Sequence, residues 1–224
     1  MKGKLIVIEG TDGSGKGTQS TLLVERLVKE NIPAVYIEFP QYGKPSAKMV
    51  EEYLNGRLGS AEEVGPYRAS IFYAVDRYSA RKDILKWLDE GKVVVCNRYV
   101  SANLGHQACK ISAEKLPEFI TWVEDLEYGT FELPRPDAVL LLHMPVEIGQ
   151  RLVDKKGHRD YVGGAKKDLH EGDLEHLRSA EQAFLRVAEL QKWHILKCND
   201  GDEPLPIEII HEILYAHTHK ILSK

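Results

Sequence analysis

The 224-residue chain has an ordinary balance of 43% hydrophobic and 29% charged residues, enough for one α/β domain with a full core and short for two. Its formal net charge of −4 argues against a protein that holds nucleic acid by the phosphates. Apolar runs fall short of the roughly 18 residues that span a bilayer, and the first of them is too short for a secretory signal. We therefore expect a single domain over residues 1–224, in the cytoplasm, with no membrane segment. The three cysteines lack metal-ligand spacing and are expected to be reduced thiols: Cys96, Cys109 and Cys198.

A glycine-rich loop lies where a predicted strand turns into a predicted helix. Residues 5–8 form a short apolar, β-branched run, which is typical of a strand buried on both faces of a parallel sheet. Residues 10–18 follow and read GTDGSGKGT. Beyond them, apolar residues recur at helical spacing and predict one buried stripe: Leu22, Leu23, Leu27 and Val28.

This loop has the composition of a phosphate-binding loop. Gly10, Gly13 and Gly15 let the backbone point successive N–H groups inward, and the helix N-terminus adds the positive end of its dipole. Lys16 then reaches the β- and γ-phosphates. The usual pattern is GxxxxGK[ST], and since Gly17 follows the lysine here, the metal-facing hydroxyl must come from Thr18. A glycine-rich turn with an exposed lysine is the alternative, which the strand before and the helix after disfavour.

Four more strand-like runs alternate with helix-length segments. They occupy residues 34–37, 92–96, 138–142 and 194–196. This alternation predicts a parallel sheet covered by helices on both faces. Ligands in such folds bind beyond the carboxyl ends of the strands, so the residues after each strand are the first candidates for a site.

Two arginines stand out, one inside a predicted helix and one at the end of a predicted strand. Arg77 lies in a long helical segment that is apolar almost all round, and a buried arginine needs an anionic partner. That partner is either a carboxylate, such as Asp76 or Asp83, or a ligand phosphate, and the sequence leaves both open. Arg98 directly follows the third strand, where it can bridge the phosphates of two substrates. Residues 101–107 after it either read the edge of a base or form a polar helix start.

A basic, glycine-containing stretch runs over residues 155–167. It is interpreted as a mobile flap that carries positive charge, with a solvated basic loop as the alternative. Glu171 and Asp173 follow it. They can serve a magnesium shell through water or simply favour the N-terminus of the next helix.

Taken together, these residues resemble the thymidylate (dTMP) kinase family in order and spacing, over nearly the whole chain. The motifs that carry the resemblance are residues 10–18, 39–40, 76–77, 97–99, 103, 106–107 and 168–171. The resemblance implies a five-stranded parallel sheet with helices on both faces, the three-layer sandwich of P-loop NTPases, with a mobile basic lid at about residues 155–172. It implies the reaction of ATP with dTMP to give ADP and dTDP, with Mg²⁺, in dTTP synthesis, and commonly a homodimer.

The same resemblance implies roles for individual residues. The catalytic cations are Lys16, Arg98 and Arg159, the last being the flap arginine that closes on the γ-phosphate. ATP contacts come from Gly10, Gly13, Ser14, Gly15, Lys16, Gly17 and Thr18, with Arg151 against adenine. The dTMP site comprises Asp12 at the sugar 3′-hydroxyl, Tyr73 and Arg77 at the base, Arg98 at the phosphate, Asn103 at the thymine edge, and Phe39, His106 and Gln107. The resemblance assigns the magnesium contacts to Thr18, Asp12 and Glu171.

Several positions depart from the family pattern. Asn97 replaces the aspartate that usually precedes Arg-Tyr, His143 stands where an aspartate commonly ends the fourth strand, and Tyr42 lies near the place of a phosphate-binding arginine. Gly13 stands where many members carry an arginine, which implies that the flap supplies that cation. Another monophosphate kinase, for UMP, CMP or AMP, and a non-catalytic nucleotide-binding protein remain as alternatives.

Overall fold

A central sheet of five parallel strands organises the computed structural model, which describes residues 2–156 and 174–223. The strands are β1 (Lys4–Glu9), β2 (Ala34–Glu38), β3 (Val93–Asn97), β4 (Ala138–His143) and β5 (His194–Lys197). Their order in the sheet is β2-β3-β1-β4-β5, and every neighbouring pair is parallel. Because β1 lies at the centre, the loop that follows it opens between strands that lead to opposite edges of the sheet.

Helices cover both faces of this sheet. They are α1 (Lys16–Lys29), α2 (Lys48–Leu54), α3 (Ala61–Asp89), α4 (Val100–His106), α5 (Leu116–Glu124), α6 (Val146–Lys156), α7 (Leu174–Leu190) and α8 (Ile207–Leu222). A π-helical segment, Asp125–Thr130, continues α5, and a short antiparallel hairpin of β6 (Asn199–Asp200) and β7 (Glu203–Pro204) precedes α8. The predicted five-stranded α/β architecture is confirmed.

Two hydrophobic clusters hold the three layers together. Alternate side chains of β1 point to opposite faces, so Leu5 and Val7 join one cluster while Ile6 and Ile8 join the other. All four side chains are fully buried. The first cluster takes its helical residues from α3, α4, α5 and α7, and the second from α1, α6 and α8. A strand buried on both faces therefore reads as the continuous apolar run seen in the sequence.

Two predictions about helix burial are wrong in part. Leu23 and Leu27 are fully buried on α1, but Val28 is 54% exposed at the end of that helix. The helix α3 is not buried all round, since Ile71 is 39% and Val75 is 43% exposed. Each of these helices packs on the sheet with one face, so apolar residues on the other face stay accessible.

The predicted lid lies largely outside the described residues. Residues 157–173, with Arg159 and Glu171, are not described, and α6 and α7 border them on either side. Across residues 2–156 and 174–223, each helix is too short or too polar to cross a membrane.

Candidate active site

A crevice of about 690 Å³ opens at the carboxyl edge of the sheet. One end is polar and is formed by residues 12–19 with residues at the carboxyl ends of β2 and β3, among them Glu38, Asn97 and Arg98. The other end is apolar and is lined by Met144, Leu152, Val153, Pro204, Leu205, Ile207 and Ile210. The crevice therefore offers a polar half suited to phosphates and an apolar half suited to a flat base.

The loop between β1 and α1 takes the conformation that its glycines permit. Gly13 and Gly15 have φ values of 81° and 86°, in the left-handed region that favours glycine. At Gly13 an added Cβ would lie 2.1 Å from the carbonyl oxygen of Gly149, because the loop rests on the backbone of α6. Residue 13 therefore cannot carry the arginine that the family often has there.

Two cations from different elements meet at Asp12. The Lys16 Nζ lies 3.6 Å from the Asp12 Oδ1 and donates a 2.9 Å hydrogen bond to the carbonyl oxygen of Thr11. The Arg98 Nη2 donates to the same Asp12 oxygen. Arg98 has a φ of 65°, a left-handed conformation that costs about 1–2 kcal/mol in a residue with a side chain. This backbone turn directs the guanidinium from the end of β3 across to the loop after β1.

The buried carboxyl group of Glu9 stabilises this backbone turn. Its Oε1 accepts hydrogen bonds from the Tyr99 backbone N–H at 3.1 Å and from the Ser101 hydroxyl at 2.8 Å. Burial raises the pKa of Glu9, against the lowering effects of the Ser101 bond and of the Arg98 and Lys16 charges. Glu9 thereby holds the start of α4 at the point where Arg98 leaves the strand.

Asn97 takes part in a hydrogen-bonded triad across β2 and β3. The Tyr36 hydroxyl donates to the Glu38 Oε2 at 2.6 Å, and the Asn97 Nδ2 donates to the Tyr36 hydroxyl at 3.1 Å and to the Glu38 Oε2 at 3.4 Å. Burial, with the Glu38 carboxylate, raises the pKa of Tyr36 well above its usual range, so its hydroxyl stays protonated as a donor. The triad places one carboxylate and one amide on the polar wall of the crevice.

Arg77 has a carboxylate partner, but neither Asp76 nor Asp83 supplies it. Its Nε and Nη2 donate to the two Glu127 oxygens at 2.5 and 2.7 Å, and both side chains are at most 1% exposed. Adjacent helical residues do not face each other, so Asp76 cannot turn toward Arg77. The Asp76 carboxylate instead accepts from the Gln41 backbone N–H at 2.7 Å and secures the loop after β2. Burial disfavours the charge of Arg77, but Glu127 outweighs this effect and raises the pKa of Arg77.

Asn103 joins the same buried network. Its Nδ2 donates to the Glu127 Oε1 at 2.9 Å and to the carbonyl oxygen of Ser70 at 3.1 Å, and the residue is 2% exposed. The network thus links α3, α4 and the π-helical segment through three polar side chains. Neither Arg77 nor Asn103 is among the described residues that line the 690 Å³ crevice.

The other predicted base contacts lie on α3, on α4 and directly after α4. Tyr73 is half-buried, with its ring edge-on to that of Tyr53 at 6.4 Å. His106 packs edge-on against Phe184 of α7 at 4.9 Å between ring centroids. Gln107 is 2% exposed, and its Oε1 accepts a 2.9 Å hydrogen bond from the Lys110 Nζ.

Two further predicted residues, Phe39 and Thr18, line the crevice wall, and Arg151 lies outside it. Phe39 precedes a cis proline, is 4% exposed and packs against Tyr99. Thr18 lies on the wall in the first turn of α1. Arg151 is exposed on α6, where its Nη2 donates to the carbonyl oxygen of Asp202 in the β6–β7 turn, beside the apolar end.

Three structurally important carboxylates were not identified from the sequence as site residues: Glu9, Glu38 and Glu127. Glu9 carried a usable signal, because it is the last residue of a buried strand and immediately precedes the phosphate loop. No sequence signal pointed to Glu127, since 50 residues separate it from Arg77. His143, the other departure at a strand end, contacts the Glu181 carboxylate on α7 at 2.7 Å.

Oxygen donors along the polar wall fit a hard divalent cation. The Thr18 hydroxyl and the Asp12 and Glu38 carboxylates are of the class that Mg²⁺ prefers. Within residues 2–156 and 174–223, there is no group of three or more histidine, cysteine, aspartate or glutamate side chains that could enclose a metal. This set suits an ion that is held mainly by substrate phosphates.

Comparisons of the sequence and of the fold with known proteins all point to the same family. A family model described as thymidylate kinase matches residues 8–211. A thymidylate kinase of Carboxydothermus hydrogenoformans is 30% identical over 216 residues, covering 95% of this chain and 96% of that protein. A probable thymidylate kinase of Pyrococcus abyssi is 29% identical over 228 residues, 100% of both chains. The solved structure of the thymidylate kinase from Candida albicans has a TM-score of 0.74 at 23% identity, covering 98% and 93% of the two chains, a likeness of fold.

The Arg77–Glu127 pair generates a prediction about stability. Replacement of Glu127 by Gln keeps the side-chain volume but leaves the Arg77 charge uncompensated in the core, and we expect a loss of about 3–5 kcal/mol in the free energy of unfolding. The matched control is Glu132→Gln, which removes the exposed partner of Arg81 and should cost about 0–1 kcal/mol. Urea unfolding monitored by circular dichroism measures both, and equal losses would contradict the assignment.

Glu9 generates a prediction about pH. Because the folded state raises the pKa of this carboxyl group above 4.5, folded Glu9 keeps its proton to a higher pH than unfolded Glu9 does. The contribution of Glu9 to the free energy of unfolding should therefore fall as the pH rises from about 4.5. We expect the difference in unfolding free energy, wild type minus Glu9→Gln, to decrease over that range in urea titrations. A difference that grows with pH would be inconsistent with burial as the dominant effect.

Proposed function

The chain belongs to the thymidylate kinase family, and we propose that its crevice transfers the γ-phosphoryl group of ATP to dTMP, giving ADP and dTDP. The observation that carries this proposal is the meeting of Lys16 and Arg98 at Asp12, between the phosphate loop and the end of β3. Two cations at one point, Lys16 from the start of α1 and Arg98 from the end of β3, are what two phosphate-bearing substrates require when they react.

The chemistry needs alignment and charge neutralisation rather than a covalent intermediate. Backbone N–H groups of Gly13, Gly15 and their neighbours bind the ATP phosphates, and Lys16 lies against the β- and γ-phosphates. Arg98 contacts the dTMP phosphate and the transferring group. Asp12 keeps both cations in place and contacts the sugar 3′-hydroxyl of dTMP.

A further cation comes from the lid. Arg159 lies outside the described residues, and we assign it to the γ-phosphate because Gly13 has no space for a side chain. In the chain this segment connects α6 to α7, and α6 is the helix whose Gly149 contacts the phosphate loop. The contact between loop and helix thus supports a lid that supplies the charge missing from the loop.

We propose Mg²⁺ as the ion that accompanies ATP, and when bound it would neutralise negative charge on the phosphates that react. The residues that would hold it are Thr18 and Asp12, with Glu171 of the lid, which lies outside the described residues. The oxygen donors along the polar wall support this assignment.

The two bases occupy different parts of the site. Adenine fits the apolar end, which Leu152 and Ile207 line, with Arg151 as the neighbour of Leu152 on α6. Thymine is assigned to the region of α3 and α4, with Tyr73 stacking, Arg77 and Asn103 on the polar edge, and Phe39, His106 and Gln107 around it. The Glu127 carboxylate sets the orientation of Arg77 and Asn103 before any base binds, which favours one base shape over others.

The whole chain is proposed to act as one domain that forms a homodimer in the cytoplasm. A stripe of exposed apolar residues on α3 supports the dimer: Tyr67, Ile71, Val75 and Tyr78. Cys96, Cys109 and Cys198 are free thiols, as expected in a reducing compartment.

The reaction is tested by ADP release from ATP and Mg²⁺ with dTMP, dUMP, UMP, CMP, dGMP or AMP as acceptor. We expect strong preference for dTMP. Arg98→Ala should lower kcat by about 10³-fold or more, because an arginine at the transferring group is worth about 10³–10⁵ in related systems. Lys16→Ala should also abolish most turnover, whereas Lys86→Ala, at an exposed lysine on α3, should not.

Each other outcome has a distinct meaning. Preference for a different monophosphate would keep the phosphate assignments and remove those of Tyr73, Asn103 and His106. Absence of turnover with every acceptor would favour a nucleotide-binding protein without catalysis.

The proposed dimer gives a prediction about assembly. Val75→Glu places a charge in the centre of the exposed stripe on α3, and we expect it to convert a dimer into a monomer. Val28→Glu is the matched control, because Val28 is a similarly exposed valine on α1. Sedimentation velocity of the three proteins distinguishes the states, and a dimer that survives Val75→Glu would place the interface elsewhere.

A further inference from the structure

Glu38 is a carboxylate on the crevice wall to which the assignments above give no function. It is exposed at the end of β2 and lines the polar end of the crevice. The other acidic side chain among the described lining residues, Asp12, is engaged by Lys16 and Arg98. Glu38 forms no ion pair with a residue of the described ranges and is held by neutral donors, the Tyr36 hydroxyl and the Asn97 amide.

The position of Glu38 relates it to the first turn of α1. Asn97, which contacts Glu38, also lies against this turn, since a Cβ on Gly17 would be 3.6 Å from the Asn97 Nδ2. Thr18 is the next residue, and its side chain lines the same wall. The carboxylate therefore lies near the place where a cation beside the Thr18 hydroxyl and the phosphates would be, and among the described residues no cation is paired with it.

The Glu38 carboxylate accounts for the asparagine at position 97. The Asn97 Nδ2 donates to Glu38 at 3.4 Å, so an aspartate there would bring two like charges to a similar distance. It would also remove the donor to the Tyr36 hydroxyl. Residues 38 and 97 thus divide two tasks between neighbouring strands, one bearing the charge and the other donating the hydrogen bond that orients it.

We propose that Glu38 supports, through bound water, the divalent cation that accompanies ATP, and that Asn97 and Tyr36 are positioning residues for this carboxylate. The inference rests on the proposed phosphoryl-transfer function. It explains why an asparagine at the end of β3 is compatible with catalysis, because the carboxylate is supplied by β2 instead.

The test uses Mn²⁺ as a spectroscopic probe and does not depend on turnover. Wild-type protein with dTMP and a non-hydrolysable ATP analogue is titrated with Mn²⁺, and free Mn²⁺ is measured by electron paramagnetic resonance. We expect Glu38→Gln to weaken Mn²⁺ binding about tenfold, the lower end of what outer-shell partners of a metal contribute. Glu118→Gln removes an equally exposed carboxylate from α5, outside the crevice, and should leave Mn²⁺ binding unchanged.

A double variant distinguishes a role in metal binding from a structural one. In Glu38→Gln/Asn97→Asp the carboxylate is moved to the neighbouring strand and the amide takes its former place, so we expect most of the lost affinity to return. Thermal unfolding of each variant establishes that the fold is retained. If Glu38 only braced Tyr36 and Asn97, the double variant would bind Mn²⁺ as weakly as Glu38→Gln, and the proposal would be wrong.

Two other results would also overturn it: wild-type and Glu38→Gln proteins that bind Mn²⁺ equally, or a wild-type complex that does not bind Mn²⁺. Failure of the proposed reaction is recognised separately, as wild-type protein that binds Mn²⁺ with the nucleotide but does not phosphorylate dTMP. In that case the effects of Glu38→Gln and of the double variant still decide the role of Glu38.

Discussion

Lys16 and Arg98 bear like charges at one point, and they repel each other unless anionic groups lie close by. Asp12 meets both cations directly, and the buried Glu9 holds the backbone from which Arg98 extends. In the proposed reaction, this arrangement would hold two cations in place before the phosphates bind, and such preorganised charge is how electrostatic catalysis gains over water. The left-handed backbone at Arg98 persists because the surrounding strands and α4 over-determine it.

Carboxylates organise the rest of the site in the same manner. Glu127 fixes Arg77 and Asn103 beneath the proposed thymine region, Asp76 secures the loop after β2, and Glu38 faces the phosphate end of the crevice. Buried ionic networks of this kind contribute little net stability, because desolvation offsets their attraction. Their value here lies in orientation, since each side chain has one geometry in which its hydrogen bonds are satisfied.

Local patterns predicted the elements well, and contacts between distant residues were the source of the errors. The five strands were predicted because doubly buried strands form continuous apolar runs, as at residues 5–8. For Arg77 the sequence left a carboxylate and a ligand phosphate open; the partner is a carboxylate, but the candidates Asp76 and Asp83 were neighbours in sequence, whereas Glu127 of the π-helical segment supplies it. The burial of Val28 and of the α3 stripe was overestimated, since apolar character alone does not say which face of a helix meets the sheet.

By itself the sequence determined the phosphate loop, the strand–helix alternation and the family, because these depend on residue types at short, fixed spacings. Only the tertiary structure decided which polar side chains meet: Lys16 with Arg98 at Asp12, Arg77 with Glu127, and Asn97 with Glu38. Arg77 and Glu127 meet because α3 and the π-helical segment pack together. For the other two sets, the physical reason is that a parallel sheet brings strand ends together in the order β2-β3-β1-β4-β5, which differs from their order along the chain. Side chains on different strands become neighbours through that order, and spacing along the chain carries no record of it.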